Sequence, residues 1–146
     1  MDGISALTDL VMAHKAPFDL SFWKPNHEHT VIDTVMDLPL DRAKFKSMKL
    51  PYLAADHGFV NPFPHRALFD VLTMFKIASQ YDLDEILKLA RSPRIIIRAV
   101  VSFDEKQKAK DAGFYLDGAS KSWLLEAKQA AFEKMRFNFK TEVRRA

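Results

Sequence analysis

The chain has no cysteine and only four glycines in 146 residues. Without cysteine there is neither a disulfide framework nor a thiolate zinc site, so any metal would have to be held by oxygen and histidine ligands. There is no Gly-rich loop to cradle a phosphate, and no nucleophile elbow or dinucleotide fingerprint occurs. Long apolar runs are missing too. Nowhere do roughly 18 apolar residues follow one another and no basic-then-apolar leader opens the sequence, so the expectation is a cytoplasmic protein with no membrane span and no secretory signal. What is present, 48% hydrophobic and 28% charged residues, is the profile of a globular chain able to bury a core.

Charge is divided unevenly. Residues 1–87 carry 8 Lys/Arg against 12 Asp/Glu, a net of −4, while residues 88–146 carry 14 against 7, a net of +7. A basic C-terminal third suits a polyanionic partner such as nucleic acid, although solvated faces of this density also occur in proteins that bind nothing charged.

The pattern predicts a short helix over 3–11, a turn at Lys15-Ala16-Pro17, and a strand from Thr30 to Met36. A helix should start near Leu50 or Pro51, with proline tolerated in its first turn, and stop at Gly58. The segment from Ala67 to about Tyr81 has almost no polar face and is expected to be a helix packed on more than one side. Another helix begins at an Asp82 or Asp84 cap and ends before Pro93. The composition then shifts. "RIIIRAVVSF" reads as a strand, "DEKQKAKDAG" as a polar helix stopped by Gly113, and "FYLDGASKSWLLEA" as a hairpin around Gly118. A last helix is followed by an alternating strand of Phe137, Phe139, Thr141 and Val143. The joint falls near Ser92-Pro93, which divides the chain into a first domain over 1–92 and a basic α+β module over 93–146.

Asp70 is the only acid between Arg66 and Tyr81. A carboxylate inside so apolar a run must be paired, protonated or bound to a cation. Arg66, four residues earlier on the same helical face, offers a salt bridge. His65 stands at the start of the helix, where an imidazole suits general-base work near neutral pH. Asp19 also sits among hydrophobic neighbours, and carboxylates from separate segments can hold Mg²⁺ against a phosphate. "HEH" at 27–29 offers half a zinc site, with no third ligand at recognisable spacing.

These stretches resemble a known family. "VMAHKAPFDLSFW" is similar to the second motif of the DEDDh (DnaQ-like) 3′–5′ exonucleases, usually His-Asn-x-x-Phe-Asp. "VIDTVMDLP" resembles the strand that follows it, "KLPYLAADHGF" the helix before the third motif, and "HRALFDVLT" the third motif itself, His-x4-Asp. The ordered set covers roughly residues 5–90. The resemblance implies an RNase H-like fold, a mixed sheet flanked by helices, in which Asp19 and Asp70 help to hold catalytic metals and His65 activates water. The departures are as informative. The family's first motif, Asp-x-Glu on the first strand, supplies two of its four carboxylates, and no Asp-x-Glu occurs in this sequence. Lys15 replaces the usual asparagine. The implication is a truncated fold, a vestigial centre with weak Mg²⁺ binding at most, and an open sheet edge near residues 11–15 and 30–36 to be covered by the chain's own C-terminal strands, a second copy or a partner.

Beyond residue 93 the pattern resembles a small appendage found after phage exonuclease domains, Ala-Lys-x-Ala-Gly-Phe-x-Trp-Asp followed by Lys-x-Trp. Ala109, Lys110, Ala112, Gly113, Phe114, Asp117, Lys121 and Trp123 match it, with Leu116 in place of the first tryptophan. Phe114, Leu116 and Trp123 would form this unit's core. Arg94, Arg98, Lys106, Lys108, Lys110 and Lys121 would alternatively form a strip that meets phosphates beside an aromatic. The resulting expectation is an exonuclease-derived protein, catalytically incomplete, that binds nucleic acid or a nucleic-acid-processing protein as a homodimer or partner complex, in the manner of a phage or mobile-element inhibitor of host defence. Its alternative is an active Mg²⁺-dependent 3′–5′ exonuclease whose first motif comes from an upstream segment or another chain.

Overall fold

The computed structural model describes residues 9–25 and 29–146. Most of the expected 3–11 helix, and His27 and Glu28 of the "HEH" stretch, lie outside the described residues. The chain is mixed α/β and separates into two compact units, Met1–Pro39 with Ser47–Arg91, and Leu40–Lys46 with Ser92–Ala146.

In the first unit, β1 (Leu10–Ala13) pairs in parallel with β2 (Thr30–Asp33), Val11 opposite Val31 and Met12 opposite Ile32. A parallel pair needs a crossover, and here it contains a single helical turn, α1 (Ala16–Asp19), started by Pro17 and preceded by Lys15 at φ 68°. β2 ends three residues before Met36, the expected terminus, because the Asp33 carboxylate bonds back to the backbone and turns the chain: Oδ1 accepts from Val35 N–H at 3.0 Å. Then come α2 (Leu50–Asp56), stopped at Gly58 with φ 84°, α3 (Ala67–Ala78) and α4 (Leu83–Arg91). Asp82 caps α4, its carboxylate accepting from Glu85 N–H at 3.0 Å. The hydrophobic residues Ile32, Leu53, Met74, Ile77, Ile86 and Leu89 are buried.

Two expectations change here. α3 is not buried on several sides: it buries Thr73, Met74, Ile77 and Ala78, while Leu68, Val71, Leu72 and Phe75 remain 43–66% exposed. Their i, i+3, i+4, i+7 spacing makes a second apolar stripe, one that the described residues leave uncovered. And there is no single mixed sheet. Among the described residues β1 and β2 form a sheet of two strands only, and the C-terminal strands build a sheet of their own.

That second sheet is antiparallel, in the order β4 (Tyr115–Asp117), β5 (Ser122–Lys128), β3 (Arg94–Val100), β6 (Lys140–Arg145). Alternation along β3 sends Ile95, Ile97 and Ala99 into the core and leaves Arg94 and Arg98 exposed. Ala109 of α5 (Lys106–Asp111), Phe114, Leu125 and Ala127 complete that core, with Phe137 and Phe139 set edge-on to Phe114 at 5.3 and 5.5 Å. The two phenylalanines precede β6 rather than belonging to it. The last helix is one turn, α6 (Gln129–Phe132). Gly113, at φ 91°, is held against Arg42 so closely that a Cβ would lie 2.8 Å from the Arg42 carbonyl oxygen. That contact, with the Lys46 ammonium donating to Asp111 O at 2.8 Å, ties the 40–46 segment into this unit.

Candidate functional site

The two units each carry a candidate, one acidic and one basic. In the first, β1 delivers His14 beside the loop after β2, its Nδ1 2.9 Å from Thr34 Oγ1. Burial is the largest influence on this imidazole and pulls its pKa below 6.5; a backbone contact with Met48 and the charges of Asp33, Asp70 and Asp19 pull the other way without overcoming it. His14 is therefore neutral at pH 7. The charges of Asp19 and Asp70, 51 positions apart in sequence, thus both act on His14.

The surroundings of the two carboxylates differ from the expected ones. Asp70 is half-buried and takes its hydrogen bond from Asn61, whose Nδ2 donates to Oδ1 at 2.9 Å; Arg66 is exposed and forms no salt bridge with it. Asn61 is itself buried and fixes the proline-rich turn by accepting from Phe63 N–H at 3.0 Å. Asp33 is held by three backbone contacts: its carboxylate accepts from Lys15 and Val35 N–H, and its own N–H donates to Asp37 Oδ2 at 2.7 Å. Asp19 and His65 are exposed. Among the described residues no three His, Asp or Glu side chains gather in a way that could hold a metal ion.

His14, Asp33 and Asn61 were not singled out by spacing. His14 lies inside the resembling second motif, and the Asn-Pro-Phe-Pro run is a turn signal that hints at Asn61. Neither pattern states which carboxylate the residue will serve.

The second candidate is a cavity of about 520 Å³, within the range of small-ligand sites. α5 contributes Lys106, Gln107 and Lys110; the loop after β3 contributes Val101, Ser102 and Phe103; the β4–β5 hairpin contributes Leu116, Lys121 and Trp123. Lys106 and Lys110 share a helical face at i, i+4 spacing. Leu116 and Trp123 are cross-strand partners. The hairpin turn is shaped by Asp117, whose Oδ2 accepts from Ser120 N–H at 2.7 Å, and hydrogen bonding from the Ser120 side chain, then from its backbone, lowers this carboxyl's pKa. The next residue, Lys121, takes φ 51°.

Of the six basic residues expected to form a strip, the structure gathers Lys106, Lys110 and Lys121 around this cavity. Arg94 and Arg98 point from the opposite face of β3 to the core, with Arg98 3.4 Å from Glu142. Lys108 sits 2.7 Å from Glu105, the hydrogen bond that chiefly lowers the Glu105 pKa. Phe114 is core, Trp123 is half-buried, and Leu116 is 57% exposed at the cavity rim rather than packed inside. Among the described residues, the non-glycine positions with positive φ are Lys15, His65 and Lys121, at 68°, 67° and 51°. Such backbone is uncommon outside glycine, and here it falls on a residue of each candidate site.

No family model, curated protein or solved structure matches the chain.

Proposed function

We propose that this protein is an exonuclease-derived nucleic-acid-binding protein that does not hydrolyse its ligand by itself. The observation that carries this reading is that three lysines line one cavity that no carboxylate lines among the described residues. Like charges held together repel one another, and a phosphodiester relieves that repulsion while releasing its own counterions. The motif resemblance supports the ancestry: the charges of Asp19 and Asp70 both act on His14, which lies within the second resembling motif, and the sequence contains no Asp-x-Glu.

A protein partner belongs to the same reading. All four residues of β1 are apolar and none is buried, although parallel strands are normally covered on both faces. Its edge, left without a second strand by the described residues, and the stripe Leu68–Phe75 on α3 suit a second copy or a host nucleic-acid-processing protein that adds a strand. In the alternative reading such a partner supplies the missing carboxylates, and Mg²⁺-dependent 3′–5′ cleavage follows.

The test is fluorescence anisotropy of a labelled single strand titrated with the protein. Binding should weaken with salt, with a log–log slope of roughly −2 for three neutralised phosphates on a single strand. It should also weaken strongly when Lys106, Lys110 and Lys121 are replaced together by glutamate. Affinity indifferent to salt and to that triple change would reject the proposal.

A further inference from the structure

We infer that the cavity of the second unit takes one unstacked nucleotide, its phosphate among Lys106, Lys110 and Lys121 and its base against Trp123 and Leu116. This rests on the nucleic-acid-binding reading and adds the form of the ligand. A purely electrostatic site needs no apolar wall and no depth, since phosphates can be tracked by a flat basic face. Here the three lysines line a concavity of about 520 Å³ together with an indole and a leucine that are direct cross-strand neighbours.

Trp123 packs in part on the unit's core and also borders the cavity, so its indole is held by the fold rather than free to swing. A fixed aromatic beside cations is the arrangement that single-strand binders use, because every base has a π-face and stacking is indifferent to sequence. Lys106 is itself anchored, its ammonium 3.7 Å from the centre of the Phe103 ring, which keeps one cation at the mouth without a carboxylate to neutralise it. Lys121 is projected from a left-handed backbone position in the hairpin turn, and Lys110 has no ion pair among the described residues. A base inside a duplex is stacked on both sides and cannot enter such a cavity. The site therefore selects single strands, frayed ends or displaced nucleotides over intact duplex.

The chain contains two tryptophans, Trp23 and Trp123, one in each unit, so their indole N–H signals in a two-dimensional ¹H–¹⁵N spectrum report separately. The signals are assigned with Trp23→Phe. Full-length protein is titrated with a nucleoside 5′-monophosphate, the matching nucleoside, inorganic phosphate, and a single-stranded and a duplex oligonucleotide of equal length. The expected result is a saturable shift of the Trp123 indole with the monophosphate and the single strand, weaker with the nucleoside and the duplex, and no movement of the Trp23 indole. Leu116→Trp, which adds a further aromatic at an exposed position without disturbing the core, should tighten single-strand binding several-fold. If oligonucleotides bind while the Trp123 indole stays still and Leu116→Trp changes nothing, the nucleotide cavity is wrong and the broader binding function stands. If inorganic phosphate alone reproduces the full effect, the base has no role and the inference is likewise overturned. If no nucleic acid binds at all, both fall together.

Discussion

The two units solve opposite electrostatic problems. The first places carboxylates near a half-buried imidazole and meets Asp33 with backbone N–H groups and Asp70 with an asparagine amide; the second lines a hollow with lysines and, among the described residues, with no carboxylate. All five histidines of the chain are in the first unit and none in the second. The contrast is instructive because carboxylates already met by backbone N–H groups or an amide, as Asp33 and Asp70 are, have less need of an outside partner than lysines around a hollow open to solvent. On the proposed reading, binding belongs to the basic unit and ancestry to the acidic one.

The comparison can be broken most forcefully at the core of the basic unit. Ile97 is fully buried at the centre of β3, and Ile97→Ala should cost about 4 kcal/mol, from lost burial and the cavity left behind. Chemical denaturation followed by Trp123 emission would register this, and single-strand binding should disappear with it. Wild-type stability in that variant would mean the sheet core has been misassigned.

Next in size is a pair of glycines in the same backbone state. Gly58→Ala meets nothing within 4 Å, so only the left-handed conformation is penalised, about 1 kcal/mol. Gly113→Ala meets the Arg42 main chain at 2.8 Å as well and should cost roughly 2–4 kcal/mol. Equal effects in a thermal melt would contradict the docking of residues 40–46 against α5's C-terminal stop.

A smaller effect follows from pH. His14 binds its proton less readily in the folded protein than at the ordinary value of 6.5, so below that value the unfolded chain takes up more protons and stability falls as pH falls. The loss begins near pH 6.5, continues down to the lowered folded pKa, and belongs to the first unit. Denaturation at pH 7.5 and pH 5.5, with Trp23 and Trp123 read separately in single-tryptophan variants, should show the larger drop at Trp23, and His14→Gln should reduce it. An equal drop at both probes would count against the assignment.

How much of this was legible in the sequence depends on how local the cause is. Helix stops at Gly58 and Gly113 and the Asp82 cap are fixed by a residue and its immediate neighbours, and they stand where the pattern puts them. The Asp33 turn that ends β2 is also local, but strand alternation masked it. By contrast, the uncovered stripe on α3 reads in sequence like any buried helix, because periodicity reports which residues are apolar and not what covers them. Asp70 offered an arginine at i−4 and took an asparagine amide nine residues away, a choice made by the proline-rich turn and not by helical spacing. The basic strip was legible as composition but not as a site. Period-two alternation in "RIIIRAV" already separates Arg94 and Arg98 from the core face, whereas the gathering of Lys121 with Lys106 and Lys110 needed the hairpin to fold back on α5.

The central claim is that the protein holds a single strand and leaves it intact. It is tested most directly by the anisotropy of an oligonucleotide carrying a fluorophore on the base of its 3′-terminal nucleotide, followed over time with the purified protein and Mg²⁺. The account predicts a rise that stays constant and reverses on adding salt. A rise that decays below the value of the free strand, as the labelled nucleotide is released, and that is abolished by His65→Ala, would contradict it.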